Sequence, residues 1–251
     1  MEPARKPVRI GFLVPPGNPT VEIEMIALAP PNVSVHFTRL TAHGAVGAHE
    51  GLEERSRMQA AHMAETVTLL AMVKPKVIAP AHPATTPVLG RTGEADLVAR
   101  IEREHKVRFI TAMGSTLAAL SRLGARRIAL GTPYGADATA TTKAHLEENG
   151  FEVVSYGNLE GVGNIYDETA ERARELAHRM DVPPAQAIFL SGLGMPTVAT
   201  IEAMERDLGK PVVSGAAAMM WHALRVAGER APVAGFGRLL ALPFSAQTAP
   251  A

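Results

Sequence analysis

The sequence predicts an α/β fold made of two parallel-sheet lobes, and two observations support this prediction. Short apolar segments typical of buried strands alternate with longer segments of helical spacing. The order then restarts, because residues 126–130 (RRIAL) repeat residues 8–13 and residues 211–228 repeat residues 107–124. This period is far longer than that of a solenoid and indicates an internal duplication. Two βαβα halves predict two lobes that face each other across a cleft.

The first half begins with a strand at residues 9–14, which is short, apolar and ended by Pro15, Pro16 and Gly17. Acidic residues Glu22 and Glu24 suit the first turn of the helix that follows. The other predicted elements are a cap for that helix at Asn18 or Thr20, a strand at 33–38, a loop at 43–50, one long helix at 52–73, a strand from 76, a helix at 94–105, a strand at 107–110 and a helix at 114–123 opened by Ser115 and Thr116.

The second half repeats this order. Its predicted elements are a strand at 126–130, a turn at Thr132, Pro133 and Tyr134, a helix at 138–149, a strand at 151–155, a helix at 167–180, a strand at 187–190 and a helical run from 201. We expect residues 1–113 together with 219–251 to form one lobe and residues 114–218 to form the other.

Composition limits the range of partners. The 251 residues are 47% hydrophobic and carry a formal net charge of zero, so nothing attracts the chain to nucleic acid or to an anionic membrane. No apolar run approaches the roughly 20 residues that cross a bilayer, and the start MEPARKPVRI lacks the apolar core of a signal peptide. We expect a cytoplasmic protein with a small neutral or anionic ligand. The sequence is compatible with a homo-oligomer but does not predict the oligomeric state.

The chain contains no cysteine, which excludes disulfides, thiolate metal sites and every thiol nucleophile or thiol acid. His43, His49 and His62 do not have metal-ligand spacing, so no metal site is predicted. The pairs Gly161-x-Gly163 and Gly192-x-Gly194 lack the third glycine and the downstream acid of a dinucleotide fingerprint, and no phosphate-binding loop is present. The sequence therefore predicts a protein without a cofactor.

Two small-residue turns indicate a ligand pocket. Residues 186–200 and residues 76–86 each combine an apolar strand, a turn with small residues and proline, and the start of a helix. In parallel α/β sheets, ligands bind beyond the carboxyl ends of the strands. We expect the two turns to share one pocket.

Three stretches carry a resemblance to a known family. They are VRIGFLVPPGNPTVEIEM, RRIALGTPYGADA and LSGLGMPTVATIEAMERDLGKPVVSGAAAMMWHALRVAG, and they lie in the same order as in the family. The chain resembles the aspartate/glutamate racemase superfamily, in its branch of maleate cis-trans isomerases and arylmalonate decarboxylases. The resemblance implies two pseudo-symmetric Rossmann-like (flavodoxin-like) lobes with parallel sheets and an active site in the cleft between them.

The chain departs from this family at both catalytic positions. Each lobe of the family can offer one cysteine, but the first position falls on His82 and the second on Gly192. A two-thiol racemase mechanism and thiol addition to a double bond are therefore excluded. The resemblance still implies a substrate-binding surround composed of Asn18, Thr20, Pro83, Ser115, Thr116, Thr132, Tyr134, Asn164, Gly192 and Leu193.

Two of these positions offer chemistry. His82 follows a buried strand, and its imidazole could give a proton to a carbanion or take one from a substrate. The alternative is a histidine that is hydrogen-bonded to loop backbone. The Tyr134 hydroxyl could donate to a carboxylate or to a developing enolate oxygen, or the ring could serve in packing.

The other candidates have structural alternatives of their own. Capping alone would explain Ser115 and Thr116, and a turn would explain Asn164. Gly192 would supply space and a backbone N–H. The run Met219, Met220 and Trp221 is expected in the core.

The leading prediction is a cofactor-independent enzyme that acts on a small carboxylic or dicarboxylic acid, decarboxylase-like or lyase-like, with His82 and Tyr134 as catalytic residues. One alternative is a thiol-independent isomerase, and another is a non-catalytic carboxylate-binding relative. A hydrolase that uses Ser115 or Ser191 is disfavoured because no G-x-S-x-G motif is present.

Overall fold

Two parallel four-stranded sheets form the framework of the protein. The computed structural model describes residues 6–41 and 52–243. The first sheet contains β1 (Val8–Val14), β2 (Val33–Arg39), β3 (Val77–Pro80) and β4 (Arg108–Phe109) in the spatial order β2-β1-β3-β4. The second contains β5 (Arg127–Thr132), β6 (Glu152–Asn158), β7 (Ala187–Leu190) and β8 (Val212–Ser214) in the spatial order β6-β5-β7-β8. The same order in both halves confirms the predicted α/β fold of two pseudo-symmetric lobes.

Helices connect the strands in both lobes. They are α1 (Val21–Leu28), α2 (Leu52–Ala61), α3 (Met63–Ala71), α4 (Thr85–His105), α5 (Ala112–Arg122), α6 (Ala136–Glu148), α7 (Ala170–Met180), α8 (Ile201–Leu208), α9 (Gly215–Val226) and α10 (Arg238–Ala241). A short 3₁₀ turn, Val198–Thr200, precedes α8. The predicted loop at 43–50, with His43 and His49, lies outside the described residues. None of the described helices has the length and apolar content that a membrane span requires.

Burial explains why the central strands are wholly apolar. Every residue of β3 and β7 is buried, as parallel strands covered by helices on both faces require. Apolar residues of both sheets and of α9 form one continuous cluster, so the two lobes share a core. Met219, Met220 and Trp221 belong to this cluster, which confirms their predicted core position.

Helices α5 and α9 tie the lobes together. They pack against each other, and α9 also contacts α1 and β3 of the first lobe, whereas α5 contacts β8 of the second. Each helix thus crosses from the sheet before it in the chain toward the other lobe. This crossing is compatible with the expected lobes, residues 1–113 plus 219–251 and residues 114–218, whose boundaries stay a prediction.

Two predicted helices differ from the observed ones. The single long helix expected at 52–73 is divided into α2 and α3, because His62 takes φ −94° and ψ 6°. Helix α4 begins at Thr85 rather than at residue 94, and Gly90, with φ 66° and ψ 173°, interrupts it. Glycine adopts such a positive φ at little steric cost, so the chain can turn inside this segment.

The start of α5 also differs from the prediction. Thr111 is the N-cap residue, and its side chain accepts a hydrogen bond from the Gly114 backbone N–H. Ser115 and Thr116, which we expected to open the helix, lie inside it. Local propensity could not separate these positions, because all three residues have a hydroxyl that can cap a helix.

The buried strands should dominate stability. Ile188 of β7 is wholly buried, so Ile188→Ala removes transfer free energy and leaves a cavity. We expect it to lower the free energy of unfolding by about 2 to 5 kcal/mol, measured by urea denaturation. The matched control is Ile23→Ala at a side chain of α1 that is 70% exposed, and we expect a change within about 0.5 kcal/mol. Equal losses in the two variants would contradict the assignment of β7 to the core.

Candidate active site

A cavity of about 560 Å³ lies between the lobes at the carboxyl ends of the strands. The loops that follow β1, β3, β5 and β7 contribute to its lining, together with α2, α6 and the segment Ile165–Tyr166. His82 and Pro83 line it from the first lobe, and Leu193 and Gly194 line it from the second. The loops at the two pseudo-equivalent positions, 82 and 192, therefore meet at one site, as the sequence predicted.

His82 is held in one orientation by the helix that follows it. Only 5% of the His82 surface is exposed, and its Nδ1 atom is 2.9 Å from the Thr85 hydroxyl. That hydroxyl donates its proton to the His82 carbonyl oxygen at 2.9 Å, so it can only accept from Nδ1–H. The unprotonated nitrogen available to a ligand is therefore Nε2. The ring bonds to a hydroxyl rather than to the loop backbone that the alternative interpretation required.

The protonation state of His82 follows from its burial. Desolvation lowers the pKa of His82 to about 4, so the imidazole is neutral at pH 7. A neutral ring with a free Nε2 lone pair is a base or a nucleophile, and it must gain a proton before it can serve as an acid.

Tyr134 offers a hydroxyl donor from the second lobe. Burial, and then the neighbouring Tyr166, raise the pKa of Tyr134 above its usual value, so the phenol keeps its proton at neutral pH. The Tyr134 hydroxyl lies 3.6 Å from the point where a Cβ atom of residue 192 would stand. The Tyr134 hydroxyl, a hydrogen-bond donor, thus lies close to residue 192, which falls on the second catalytic position of the family.

Gly192 is a position that accepts no side chain without rearrangement. Its φ is +101°, and an added Cβ atom would lie 2.6 Å from Cγ of Pro133. Contacts this short require the proline or the loop to move. The backbone therefore approaches the β5–α6 turn more closely than a residue with a side chain would allow.

Asn18 and Thr20 connect the lobes. The Asn18 Nδ2 atom donates to the Leu193 carbonyl at 3.1 Å, and the Thr20 hydroxyl donates to the Gly194 carbonyl at 2.9 Å. Asn18 also lines the cavity, whereas Thr20 is not part of the described lining. Their observed partners are protein carbonyls, so a substrate contact stays a prediction for Asn18 and has no support from the placement of Thr20.

Besides Thr20 and Gly192, four predicted substrate-binding residues lie away from the described lining. The Ser115 hydroxyl donates to the Thr111 carbonyl at 2.7 Å and also contacts Nδ1 of His222. Each of the other three also makes a local hydrogen bond. The Thr116 hydroxyl donates to the Ala112 carbonyl, the Thr132 and Thr139 hydroxyls pair, and Oδ1 of Asn164 accepts from the Tyr166 backbone N–H. Helix and turn hydrogen bonds therefore account for Ser115, Thr116, Thr132 and Asn164, and the structure does not bring them to His82.

Two functional candidates were missed by sequence reasoning. Arg55 of α2 lines the cavity, although only 8% of its surface is exposed. Tyr166 also lines the cavity, near Gly194. Burial raises the pKa of Tyr166, while the positive charges of Arg55 and Arg39 lower it. The charge-rich sequence around Arg55 is typical of an exposed helix face, so only the packing of α2 over the cleft reveals the residue.

The described residues contain no group of three or more His, Cys, Asp or Glu side chains that could hold a metal ion. Across these ranges, the charged lining consists of Arg55 and Arg57 with Glu53 and Asp137. Arg57 and Glu53 form an exposed ion pair, whereas Arg55 is buried.

The duplicated fold and the cavity between its lobes define the class of two-lobed α/β protein that the sequence resembles. A family model described as arylmalonate decarboxylase matches residues 10–240, and the chain belongs to this family. Among characterised relatives, a maleate isomerase from Nocardia farcinica is 31% identical over 92% of this chain and 95% of its own length. An arylmalonate decarboxylase from Bordetella bronchiseptica is 35% identical over 50% of this chain and 54% of its own length.

Solved structures of both kinds of relative share the fold. The maleate cis-trans isomerase of Nocardia farcinica bound to TRIS has a TM-score of 0.83 and 27% identity, and the match covers 93% of this chain and 97% of that one. An unliganded arylmalonate decarboxylase has a TM-score of 0.76 and 26% identity, with 93% and 98% covered. Another structure of the Nocardia farcinica enzyme contains a covalently bound succinylcysteine intermediate. The present chain contains no cysteine and cannot form that intermediate.

The neutral state of His82 predicts a pH effect on stability. The folded protein resists protonation down to about pH 4, whereas the unfolded chain takes up this proton near pH 6.5. The free energy of unfolding should therefore fall as the pH drops through this interval, by up to roughly 3 kcal/mol from His82 alone. In His82→Gln this contribution disappears, so urea denaturation between pH 6.5 and 4.5 should give a shallower decline. Other groups, including His222, titrate in both proteins, and parallel declines would contradict the assignment.

Proposed function

We propose that the protein is a cofactor-independent lyase that acts on a small carboxylic or dicarboxylic acid through an enediolate intermediate. The observation that carries this proposal is the pairing of a neutral imidazole from one lobe with a protonated phenol from the other in one cavity. Imidazole can move the proton at the carbon next to a carboxylate, and the phenol can donate to the charge that develops on the carboxylate oxygen.

The charge state of His82 favours proton removal as the first step. The Nε2 lone pair takes the proton from the carbon next to the carboxylate, and the C–H electron pair becomes part of the enediolate. Expulsion of a small group from the neighbouring carbon forms a double bond, and the imidazolium returns its proton to the departing group. This sequence is an elimination that leaves His82 neutral at the end, and the reverse sequence is an addition.

The decarboxylase version uses the same groups in another order. The C–C bond breaks, carbon dioxide leaves, and the electron pair remains on the enediolate until a proton arrives from the His82 imidazolium. Because burial lowers the pKa of His82 to about 4, this version requires the ring to gain a proton together with the substrate anion. The two versions predict opposite pH dependence: kcat/KM rises through about pH 4 to a plateau for a base and falls above about pH 4 for an acid.

Arg55 is the residue that we propose for a second carboxylate. A guanidinium in a partly desolvated cavity binds carboxylates through charge-assisted hydrogen bonds, which are roughly twice as strong as neutral ones. Such an anchor would hold one end of a dicarboxylic acid while His82 and Tyr134 act on the other.

A thiol-independent isomerase is the second candidate, and the similarity over almost the full chain to the Nocardia farcinica maleate isomerase favours it. In this case Nε2 of His82 would add to the double bond, rotation would follow about the new single bond, and elimination of the imidazole would restore the alkene. The third candidate is a carboxylate-binding protein without turnover. Localisation in the cytoplasm and assembly into a homo-oligomer stay predictions from the sequence.

His82→Ala tests the catalytic group. We expect kcat to fall at least about a hundredfold, because one acid or base group usually contributes that much. Turnover would be followed by NMR on malonates, maleate and small hydroxy acids. His145→Ala is the control, because His145 is a buried histidine outside the lining of this cavity, and it should stay within about twofold of wild type.

Three results would separate the candidate functions. Turnover of maleate to fumarate without net loss of mass would establish the isomerase. Ligand-induced stabilisation by dicarboxylates without any turnover would establish the binding protein. Unchanged turnover in His82→Ala would remove His82 from the mechanism.

Arg55→Gln tests the proposed anchor. We expect KM for a dicarboxylic substrate to rise about tenfold or more, because a charged hydrogen bond contributes roughly 1.5 to 3 kcal/mol, while Arg55→Lys should show a smaller rise. Arg174→Gln, which removes an exposed ion pair with Asp207 on the outer surface, is the charge-matched control and should leave KM unchanged. An equal rise in KM for a monocarboxylic analogue would contradict a role at the second carboxylate.

A further inference from the structure

Three side chains of the first lobe form hydrogen bonds with the loop that follows β7 in the second lobe. In addition to the bonds from Asn18 and Thr20, the Oε1 atom of Glu24 accepts hydrogen bonds from two backbone N–H groups, those of Thr197 at 2.6 Å and Val198 at 2.8 Å. We call Asn18, Thr20 and Glu24 the α1 latch. All three residues are buried, so these bonds form where water does not compete.

Burial of the Glu24 carboxyl group at this boundary lowers the stability of the protein. Its residue is 7% exposed, and within the described chain its Oε2 atom has no hydrogen-bond partner. Burial raises the pKa of Glu24, and the hydrogen bonds from residues 197 and 198 oppose that rise. A buried carboxyl oxygen without a hydrogen-bond partner destabilises a protein, whereas a carboxylate that accepts from the first backbone N–H groups of a helix stabilises the start of that helix. The hydrogen bonds of Glu24 thus offset part of the cost of its burial, and they fix the position of the turn that leads into α8.

The duplication provides an internal comparison for the latch. When Arg9 and Ile10 of β1 are placed on Arg127 and Ile128 of β5, α1 falls on α6. Counted from the N-caps Thr20 and Gly135, the residues of the second lobe that correspond to the latch lack a carboxyl group: Pro133, Gly135 and Thr139.

The loop facing α6 is changed in the same way. When β3 is placed on β7, the residues that correspond to Thr197 and Val198 are Pro87 and Val88. Proline has no N–H to donate. Pro87 and Val88 line the cavity. One side of the pseudo-twofold contact therefore carries a buried carboxylate that hydrogen-bonds to the other lobe, and the corresponding position of the other side, Thr139, has no carboxyl group.

We propose that Glu24 is a positioning residue, which holds the β7–α8 loop so that Leu193 and Gly194 form the cavity wall and Gly192 stays packed beneath Tyr134. Gly192 transmits the position of the loop, because its backbone packs against Pro133 beside Tyr134. The α1 side then serves as the fixed side of the cleft. This inference rests on the proposed function, since it assigns a task to the same cavity.

The matched control is another buried glutamate. Glu205 of α8 is 6% exposed and also accepts backbone hydrogen bonds, from Val212 at 3.0 Å and from Arg238 at 2.8 Å. Its contacts lie within the second lobe and the C-terminal segment, outside the cavity lining. Glu205→Ala therefore removes a comparable structural group without touching the site.

Glu24→Ala should lower kcat at least about tenfold, because a wall displaced by about 1 Å costs turnover more than it costs binding. We expect a smaller change in KM. Glu24→Gln keeps an acceptor oxygen for Thr197 and Val198 and should restore kcat to within about threefold of wild type. Glu205→Ala should lower the melting temperature as much as Glu24→Ala does but leave kcat within about twofold.

A second readout does not depend on turnover. In NMR spectra without ligand, the methyl resonances of Leu193 and the ring resonances of Tyr134 should shift in Glu24→Ala and stay in place in Glu24→Gln and Glu205→Ala. If these shifts appear while the wild type turns over no acid, the proposed function fails and the positioning role stands. Unshifted resonances in Glu24→Ala, or a loss of kcat that equals that of Glu205→Ala, would overturn the positioning role.

Discussion

Burial of the central strands on both faces is the constraint on which the rest of the structure depends. Strands β1, β3, β5 and β7 contribute wholly buried apolar residues to one cluster that spans both lobes. Because such strands carry almost no polar side chains, chemistry can enter only where they end. All strands of each sheet are parallel, so their carboxyl ends form one edge, and the shared core turns the two edges toward one cleft. The location of the cavity is thus a consequence of the core.

The same burial sets the chemistry of the site. Desolvation makes His82 neutral and keeps Tyr134 protonated, so the two lobes present a base and a hydrogen-bond donor without any ionised pair between them. Thr85 then selects the tautomer, because its own proton is committed to a backbone carbonyl. A cysteine-free member of this family can therefore offer proton transfer, although it cannot use the covalent sulfur intermediate of a relative.

Sequence reasoning reached the fold and the place of His82 at the cavity because both follow from local signals. Apolar strands ended by proline and glycine are visible in the chain, and the repeat shows which segments correspond. It failed where a side chain has several equivalent uses nearby. Ser115 and Thr116 could cap or bind, and only the coordinates show that Thr111 caps the helix. Arg55 could not be found at all, because its burial depends on how α2 packs over the cleft.

Duplication also explains how a symmetric fold supports an asymmetric site. Two identical lobes would place equal side chains at positions 82 and 192 and equal contacts beside both, which gives a substrate no preferred orientation. Here His82 of the first lobe corresponds to a glycine in the second, and Glu24, which accepts hydrogen bonds from the second lobe, corresponds to Thr139, which has no carboxyl group. In our proposal the two departures act together, because the hydrogen-bonded side holds Gly192 beside Tyr134 while His82 acts as the base. A site with one base then requires that the pseudo-twofold symmetry be broken both in the side chains of the site and in the contacts that support them.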